Sequence, residues 1–257
     1  MGIIRPPAMT IDRGRGPAIV FLHHFGGSAR SWTRVIDRLV DDCRCIAPDL
    51  PGFGADCDRQ GPFTTAAAAD ATIALVDGFE LDDFILVGHS MGGKIALATA
   101  ARRPAGLRGL VLLAPSPPTP EPISDEDRAH LLASWGNRPA MAAIVVKIAA
   151  RPIAPADREQ LVADMLLALE AAWRAWLTDG SREDIGGALG EIRVPVTILS
   201  GSDDRTIPAE VLRRDITERL TDARLEIIAG AGHLLPVEAS EEVAAIILRC
   251  RAASYAR

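Results

Sequence analysis

Gly88-His89-Ser90-Met91-Gly92 has the spacing of a serine nucleophile on a sharp turn, and its flanks suit that role. The apolar run Phe84-Ile85-Leu86-Val87 precedes it as a strand would, and a helical pattern begins at Met91. A hydroxyl that stands clear of a sheet must sit on a strained strand-to-helix turn. Side chains two positions either side would collide with the neighbouring backbone, which suits glycine at 88 and 92. The helix N-terminus then aims free N–H groups and partial positive charge at negative charge developing beside Ser90. The chemistry implied is attack on an acyl carbon. A serine hydroxyl is too weakly acidic for this at neutral pH without an adjacent base, itself oriented by a third group. Five histidines are available: His23, His24, His89, His130 and His233.

The elements that must position these groups alternate between β and α. Strand-like runs are Ala18–His24, Cys43–Pro48, Phe84–Gly88, Gly109–Pro115, Val196–Gly201 and Arg224–Gly230, most of them near-continuous Val, Ile and Leu. Helical patterns lie between them at Ser31–Val40, Thr65–Gly78, Met91–Arg102, Ala209–Leu220 and Ser240–Cys250. The alternation predicts an α/β fold with a doubly wound, mostly parallel sheet and ligand chemistry at the carboxyl ends of the strands. One segment breaks it. From Pro117 to about Glu191 there is no strand signal, only the stiff connector PSPPTPEP and helical patterns around Asp125–Trp135, Ala140–Ala150 and Ala156–Asp179. Trp135, Trp173 and Trp176, three of the four tryptophans, fall here. The reading is an inserted helical cap at 117–191 over a core domain of 1–116 and 192–257.

Composition narrows the function classes. A chain of 257 residues buries a full core, and 48% hydrophobic with 24% charged residues is ordinary for a globular protein. A net charge of −6 with scattered basic residues leaves no footprint for nucleic acid. Cys43, Cys45, Cys57 and Cys250 make no disulfide framework, and Cys43 and Cys45 lack the second ligand pair of a zinc site. No apolar run approaches the roughly 18 residues of a membrane span, and MGIIRPPAMT lacks the apolar core of a signal peptide. The expectation is a cytoplasmic protein with a small-molecule substrate, no metal, no membrane and no nucleic acid.

With GHSMGG and APDLPGFG (Ala47–Gly54), the chain resembles the α/β-hydrolase fold superfamily, specifically its capped esterases, lactonases and carbon–carbon bond hydrolases. The resemblance covers nearly all of the chain outside the cap. The family opens with a two-stranded hairpin, and little chain precedes Ala18, so one edge strand is expected to be short or missing. The resemblance implies that His233, in IAGAGHLLPVEASEEV, is the base, with the order Ser, Asp, His. The acid belongs at a strand end between them, and LLAPSPP carries no carboxylate there. In LSGSDDRTIP the family pattern G-x-x-D-x-x-x-P runs from Gly201 to Pro208 and selects Asp204, leaving Asp203 as a turn residue. His89 is expected to point away from the Ser90 hydroxyl and pack, and His130 lies in the cap.

The paired histidines of FLHHFGGSARSW then have a quieter task. Acyl transfer needs two N–H donors for the oxyanion, and Met91 supplies one as the residue after the nucleophile. HHFGG resembles the family's H-G-x-G element, which implies Phe25 as the second donor and His23 as the histidine that fixes the loop. His24 stands where the family most often has glycine. It either contacts substrate or turns into a local gap.

The expected reaction is hydrolysis of a small, largely apolar carboxylic ester or lactone through an acyl-enzyme, with no cofactor. His24, Trp135, Met141 and Trp173 are the candidate pocket residues. A carbon–carbon bond hydrolase of ring-cleavage products is the alternative, with Arg151 and Arg174 available for a dienoate carboxylate. A cofactor-free perhydrolase shares the methionine after the serine but generally has proline where this chain has Gly26. A ligand-binding protein on a hydrolase scaffold is the non-enzymatic alternative. A homo-oligomer is left open.

Overall fold

The computed structural model describes residues 10–56 and 60–255, so Cys57 and the first nine residues, on which the signal-peptide reading rests, lie outside the described residues. Seven strands, β1 (Thr10–Arg13), β2 (Ala18–Leu22), β3 (Arg44–Pro48), β4 (Phe84–His89), β5 (Leu107–Leu113), β6 (Val196–Gly201) and β7 (Ala223–Ile228), form one sheet in the order β1-β3-β2-β4-β5-β6-β7. Every pairing is parallel except β1 on β3. The edge strand is thus short, four residues long, rather than missing.

The near-continuous apolar runs follow from cover on both faces. Along β2, Val20 and Leu22 join one apolar cluster while Ile19 and Phe21 join the other, the period of two that a strand imposes. The first face packs on α2 (Thr65–Gly78) and α3 (Met91–Ala101) through Ala68, Leu75, Ile95 and Leu97. The second packs on α1 (Thr33–Ile36) and α10 (Ser240–Tyr255) through Val35, Ile36, Val243 and Ile247. The chain passes from β2 to β3 on one side and reaches β4 on the other. That reversal opens a crevice at the carboxyl ends of β2 and β4, where His23 and Ser90 begin their loops.

Between β5 and β6 lie α4 (Asp125–Ala133), α5 (Arg138–Ile148), α6 (Pro155–Leu167) and α7 (Glu170–Thr178). Their apolar faces, including Met141, Leu161, Met165, Trp173 and Leu177, belong to the cluster of the first sheet face. The single helix expected over Ala156–Asp179 is in fact two. Ala168 and Leu169 are extended, with ψ of 133° and 136°, and the Leu169 N–H donates to the Gly52 carbonyl at 2.9 Å. A tertiary hydrogen bond breaks the helix where the sequence has neither Gly nor Pro. The helix expected over Ser31–Val40 also shrinks, to a 3-10 turn at Ala29–Trp32 and the single turn α1. Ala209–Leu220 divides into α8 (Ala209–Asp215) and a 3-10 turn at Thr217–Arg219.

Candidate active site

Ser90 joins β4 to α3 with φ of +52° and ψ of −118°, a conformation that costs a non-glycine residue strain. Main-chain hydrogen bonds hold it there. The Ser90 N–H donates to Leu113 O at 3.0 Å, and Ser90 O accepts from Ser116 at 2.9 Å and Gly93 at 2.8 Å. The flanking glycines are obligatory for space: a Cβ on Gly88 would overlap the Gly92 carbonyl, and one on Gly92 would overlap the Leu22 carbonyl.

His233 Nε2 lies 2.9 Å from Ser90 Oγ, and His233 Nδ1 lies 2.8 Å from Asp204 Oδ2. These three side chains come from loops after β4, β7 and β6. Asp204 is held in turn by its other oxygen, which accepts the N–H groups of Thr206 at 2.8 Å and Ile207 at 3.1 Å. Asp203 is exposed and faces Ser202. Burial disfavours the His233 imidazolium, but the charge and hydrogen bond of Asp204 outweigh it and the pKa rises above 6.5. Burial alone would raise Asp204, yet His233 and the two N–H donors hold its carboxyl below 3.8. The pair is therefore poised as a carboxylate that steadies a protonated imidazole.

The loop after β2 stands beside Ser90. His23 bridges its base: Nδ1–H donates to His24 O at 2.8 Å, and Nε2 accepts the Leu50 N–H at 2.9 Å. The Asp49 carboxylate accepts the N–H groups of Ala29 and Ala55, both at 2.7 Å, joining this loop to APDLPGFG. Gly26 has φ of +73°, and a Cβ there would press on Trp173 and Met165, both at 3.1 Å. The Phe25 ring lies 4.2 Å from Trp173, between centroids, and 6.0 Å from Phe53. Met91 opens α3, so its N–H has no acceptor within the helix.

The four candidate pocket residues have different positions. Trp173 is fully buried against Phe25, its indole N–H on Leu131 O. Met141 is fully buried in the apolar cluster. Trp135 is 38% exposed, its indole N–H on Ala168 O, so it ties the end of α4 to the break between α6 and α7. The His24 ring turns inward, 5.0 Å from His89, and leaves room only for glycine at 27, where a Cβ would lie 2.7 Å from its Cε1. The ring thus occupies the local gap beside Gly27 and His89, the second of the two placements expected for it. Burial first, then the charges of His23 and His233, pull its pKa down to about 3. Arg151 and Arg174 are both engaged, Arg151 with Glu242 and Arg174 with Glu170.

Sequence reading missed two groups. His89 does more than pack: its Nε2–H donates to His233 O at 2.8 Å. Lys94, one turn into α3, is fully buried and donates to Glu183 O at 2.6 Å and Thr119 O at 3.4 Å, fastening α3 to the connector and to the end of the insertion. Only the histidine between Gly88 and Ser90 hinted at the first, and a lysine inside an apolar helix face at the second. Among the described residues no cluster of His, Cys, Asp and Glu could hold a metal ion, and no helix is long and apolar enough to cross a membrane.

Residues 19–246 match the alpha/beta hydrolase family. The chain belongs to this family. Its curated relatives include the dihydrolipoyllysine-residue acetyltransferase component of an acetoin cleaving system from Pseudomonas putida, 29% identical over 89% of this chain; the match spans only 61% of that relative. The 2-hydroxy-6-oxo-2,4-heptadienoate hydrolase of Pseudomonas putida F1 is 28% identical over 88% of this chain and 86% of its own length. Among solved structures, an esterase from Exiguobacterium antarcticum shares the fold, with a TM-score of 0.84, 20% identity and 93% of each chain covered. This hydrolase therefore shares its scaffold with esterases and carbon–carbon bond hydrolases.

Proposed function

We propose that this α/β hydrolase is a serine hydrolase that cleaves a small, largely apolar carboxylic ester or lactone through an acyl-enzyme. The single observation that carries the reading is the continuous relay from Ser90 Oγ through His233 to Asp204, at 2.9 Å and 2.8 Å. His233 takes the Ser90 proton as Oγ attacks the carbonyl carbon, and Asp204 stabilises the imidazolium without accepting the proton. The N–H groups of Phe25 and Met91 receive the oxyanion. His233 then protonates the leaving alcohol, and water, deprotonated by the same imidazole, releases the acid. Helices α4–α7 serve as the cap. Trp173 and Met165, packed on Gly26, make the wall beside the oxyanion loop apolar, which favours an uncharged acyl or alcohol group.

Carbon–carbon bond hydrolysis is the second reading, favoured by the relative that acts on 2-hydroxy-6-oxo-2,4-heptadienoate. Against it, the two cap arginines considered for the substrate carboxylate are paired with glutamates. The test is turnover of p-nitrophenyl esters from acetate to decanoate by wild type and Ser90→Ala. Multiple turnovers lost in the variant support the ester reading, and the preferred chain length sizes the pocket. Fluorophosphonate labelling of Ser90 without ester turnover turns the assignment to ring-cleavage products. Neither turnover nor labelling overturns the proposal in favour of a binding protein.

A further inference from the structure

We propose that Glu238 is the positioning residue for His233: its carboxylate binds the main chain on both sides of the histidine and locks that loop to the end of α5. The inference rests on the serine-hydrolase reading, in which His233 is the base.

Glu238 ends α9 (Leu235–Glu238) and is 9% exposed. Four main-chain N–H groups converge on it. Oε1 accepts Leu234 at 2.8 Å, while Oε2 accepts Gly232 at 2.9 Å, Ala150 at 2.8 Å and Arg151 at 2.7 Å. The histidine's own N–H donates to Ile148 O at 2.9 Å. The three consecutive amides of 232, 233 and 234 are thus all committed, the outer two to Glu238 and the central one to α5. Gly232 allows the approach, since a Cβ there would lie 2.6 Å from Ala150 N. Arg151 closes the joint, with Nη1 on Glu238 O at 3.0 Å and Nη2 on Ala229 O at 2.8 Å.

An ionised carboxylate is acceptor-only, so both oxygens can take N–H donors at once. A glutamine cannot: either way round, its amide N–H₂ faces at least one main-chain N–H. Aspartate keeps the charge but is shorter by a methylene. A displaced loop would carry the His233 ring off the line between Ser90 and Asp204, and reaction rates are steep in such errors. The carboxylate also acts on the imidazole through space. Burial disfavours the His233 imidazolium, and Asp204 first, then Glu121 and Glu238, support it; the neighbouring rings His89 and His24 face it with their pKa values lowered.

The test compares wild type with Glu238→Gln. Ester kinetics give kcat and KM, and proton NMR of the His233 ring follows its titration without any need for turnover. The expected result is a folded variant with kcat reduced about tenfold or more at little-changed KM, and with the His233 titration moved to lower pH. A folded variant that loses only thermal stability, with kcat and the His233 titration unmoved, overturns the proposal and leaves Glu238 a structural clasp. If Glu238→Gln does not fold, Glu238→Asp is measured in its place: a lower kcat at constant KM with a broadened His233 ring signal supports the proposal, and both unchanged overturns it. Wild type that neither turns over ester nor labels at Ser90 overturns the hydrolase reading alone, because the NMR titration still reports on Glu238.

Discussion

His89 Nε2–H donates to the main-chain carbonyl of His233 across 2.8 Å, with the two rings 5.3 Å apart. The residue next to Ser90 therefore grips the residue whose ring stands over the Ser90 hydroxyl. This bond also assigns the tautomer: a carbonyl only accepts, so Nε2 carries the hydrogen, and the buried Nδ1 has no partner. Burial first, then the charges of His24 and His233, hold the His89 pKa well below 6.5, so the ring stays neutral.

Replacing His89 by phenylalanine keeps a ring and removes the donor. The buried His233 carbonyl is then unsatisfied, a cost of about 1–3 kcal/mol. The expected outcome is a lower unfolding midpoint in urea and slower labelling of Ser90 by a fluorophosphonate. Labelling at the wild-type rate would show that the bond is not needed to place His233.

The pH dependence follows from the signs of two shifts. In the proposed mechanism His233 works as a base only when neutral, and its pKa is raised above 6.5, so kcat/KM should rise with pH and level off above that value. For stability, the raised His233 pKa contributes most below 6.5, and the contribution is lost as pH rises through the folded-state value. Asp204 contributes above 3.8 and loses its contribution as pH falls through its lowered value. His24, held down to about 3, stays neutral throughout the activity profile but costs stability as pH falls below 6.5 toward that value, because only the unfolded chain then takes up the proton. In Asp204→Asn the acid limb should move to lower pH and kcat should fall by roughly 10⁴-fold. A pH–rate profile of both proteins checks this, and an unchanged limb in the variant would remove Asp204 from the relay.

Asp164, on α6, ties the insertion to the loop that follows the proposed oxyanion donor. Its fully buried carboxylate accepts the Ser28 hydroxyl at 2.9 Å and pairs with Arg30. Burial raises its pKa, with Ser28 and Arg30 opposing. Because Arg30 is 42% exposed, the pair is partly screened, and Asp164→Ala should destabilise by about 1–3 kcal/mol, mostly from the orphaned, buried Ser28 hydroxyl. Asp164→Asn keeps an acceptor for Ser28 and should cost less. Urea unfolding orders the two variants, and equal losses would mean that the charge, not the Ser28 contact, matters.

The sequence by itself determined the six parallel strands β2–β7, because covered strands need apolar runs, and the serine elbow, because strand, turn and helix are local and only glycine clears the backbone at 88 and 92; the short edge strand β1 carries no such run. His233 and Asp204 were legible only through a family likeness, since nothing in the spacing of Ser90, Asp204 and His233 encodes proximity. Tertiary structure alone decided the rest. The break at Ala168–Leu169 answers to a carbonyl at Gly52, more than a hundred residues away in sequence. The inward turn of His24 answers to the space left by Gly27 beside His89. Nothing in the chain around Glu238 and Asp164 marks their carboxylates for burial. Each is buried because main-chain N–H groups, a hydroxyl or a guanidinium from distant segments meet it, and a buried charge persists only where such donors converge. Those meetings exist only once the sheet, the insertion and the histidine loop have packed together.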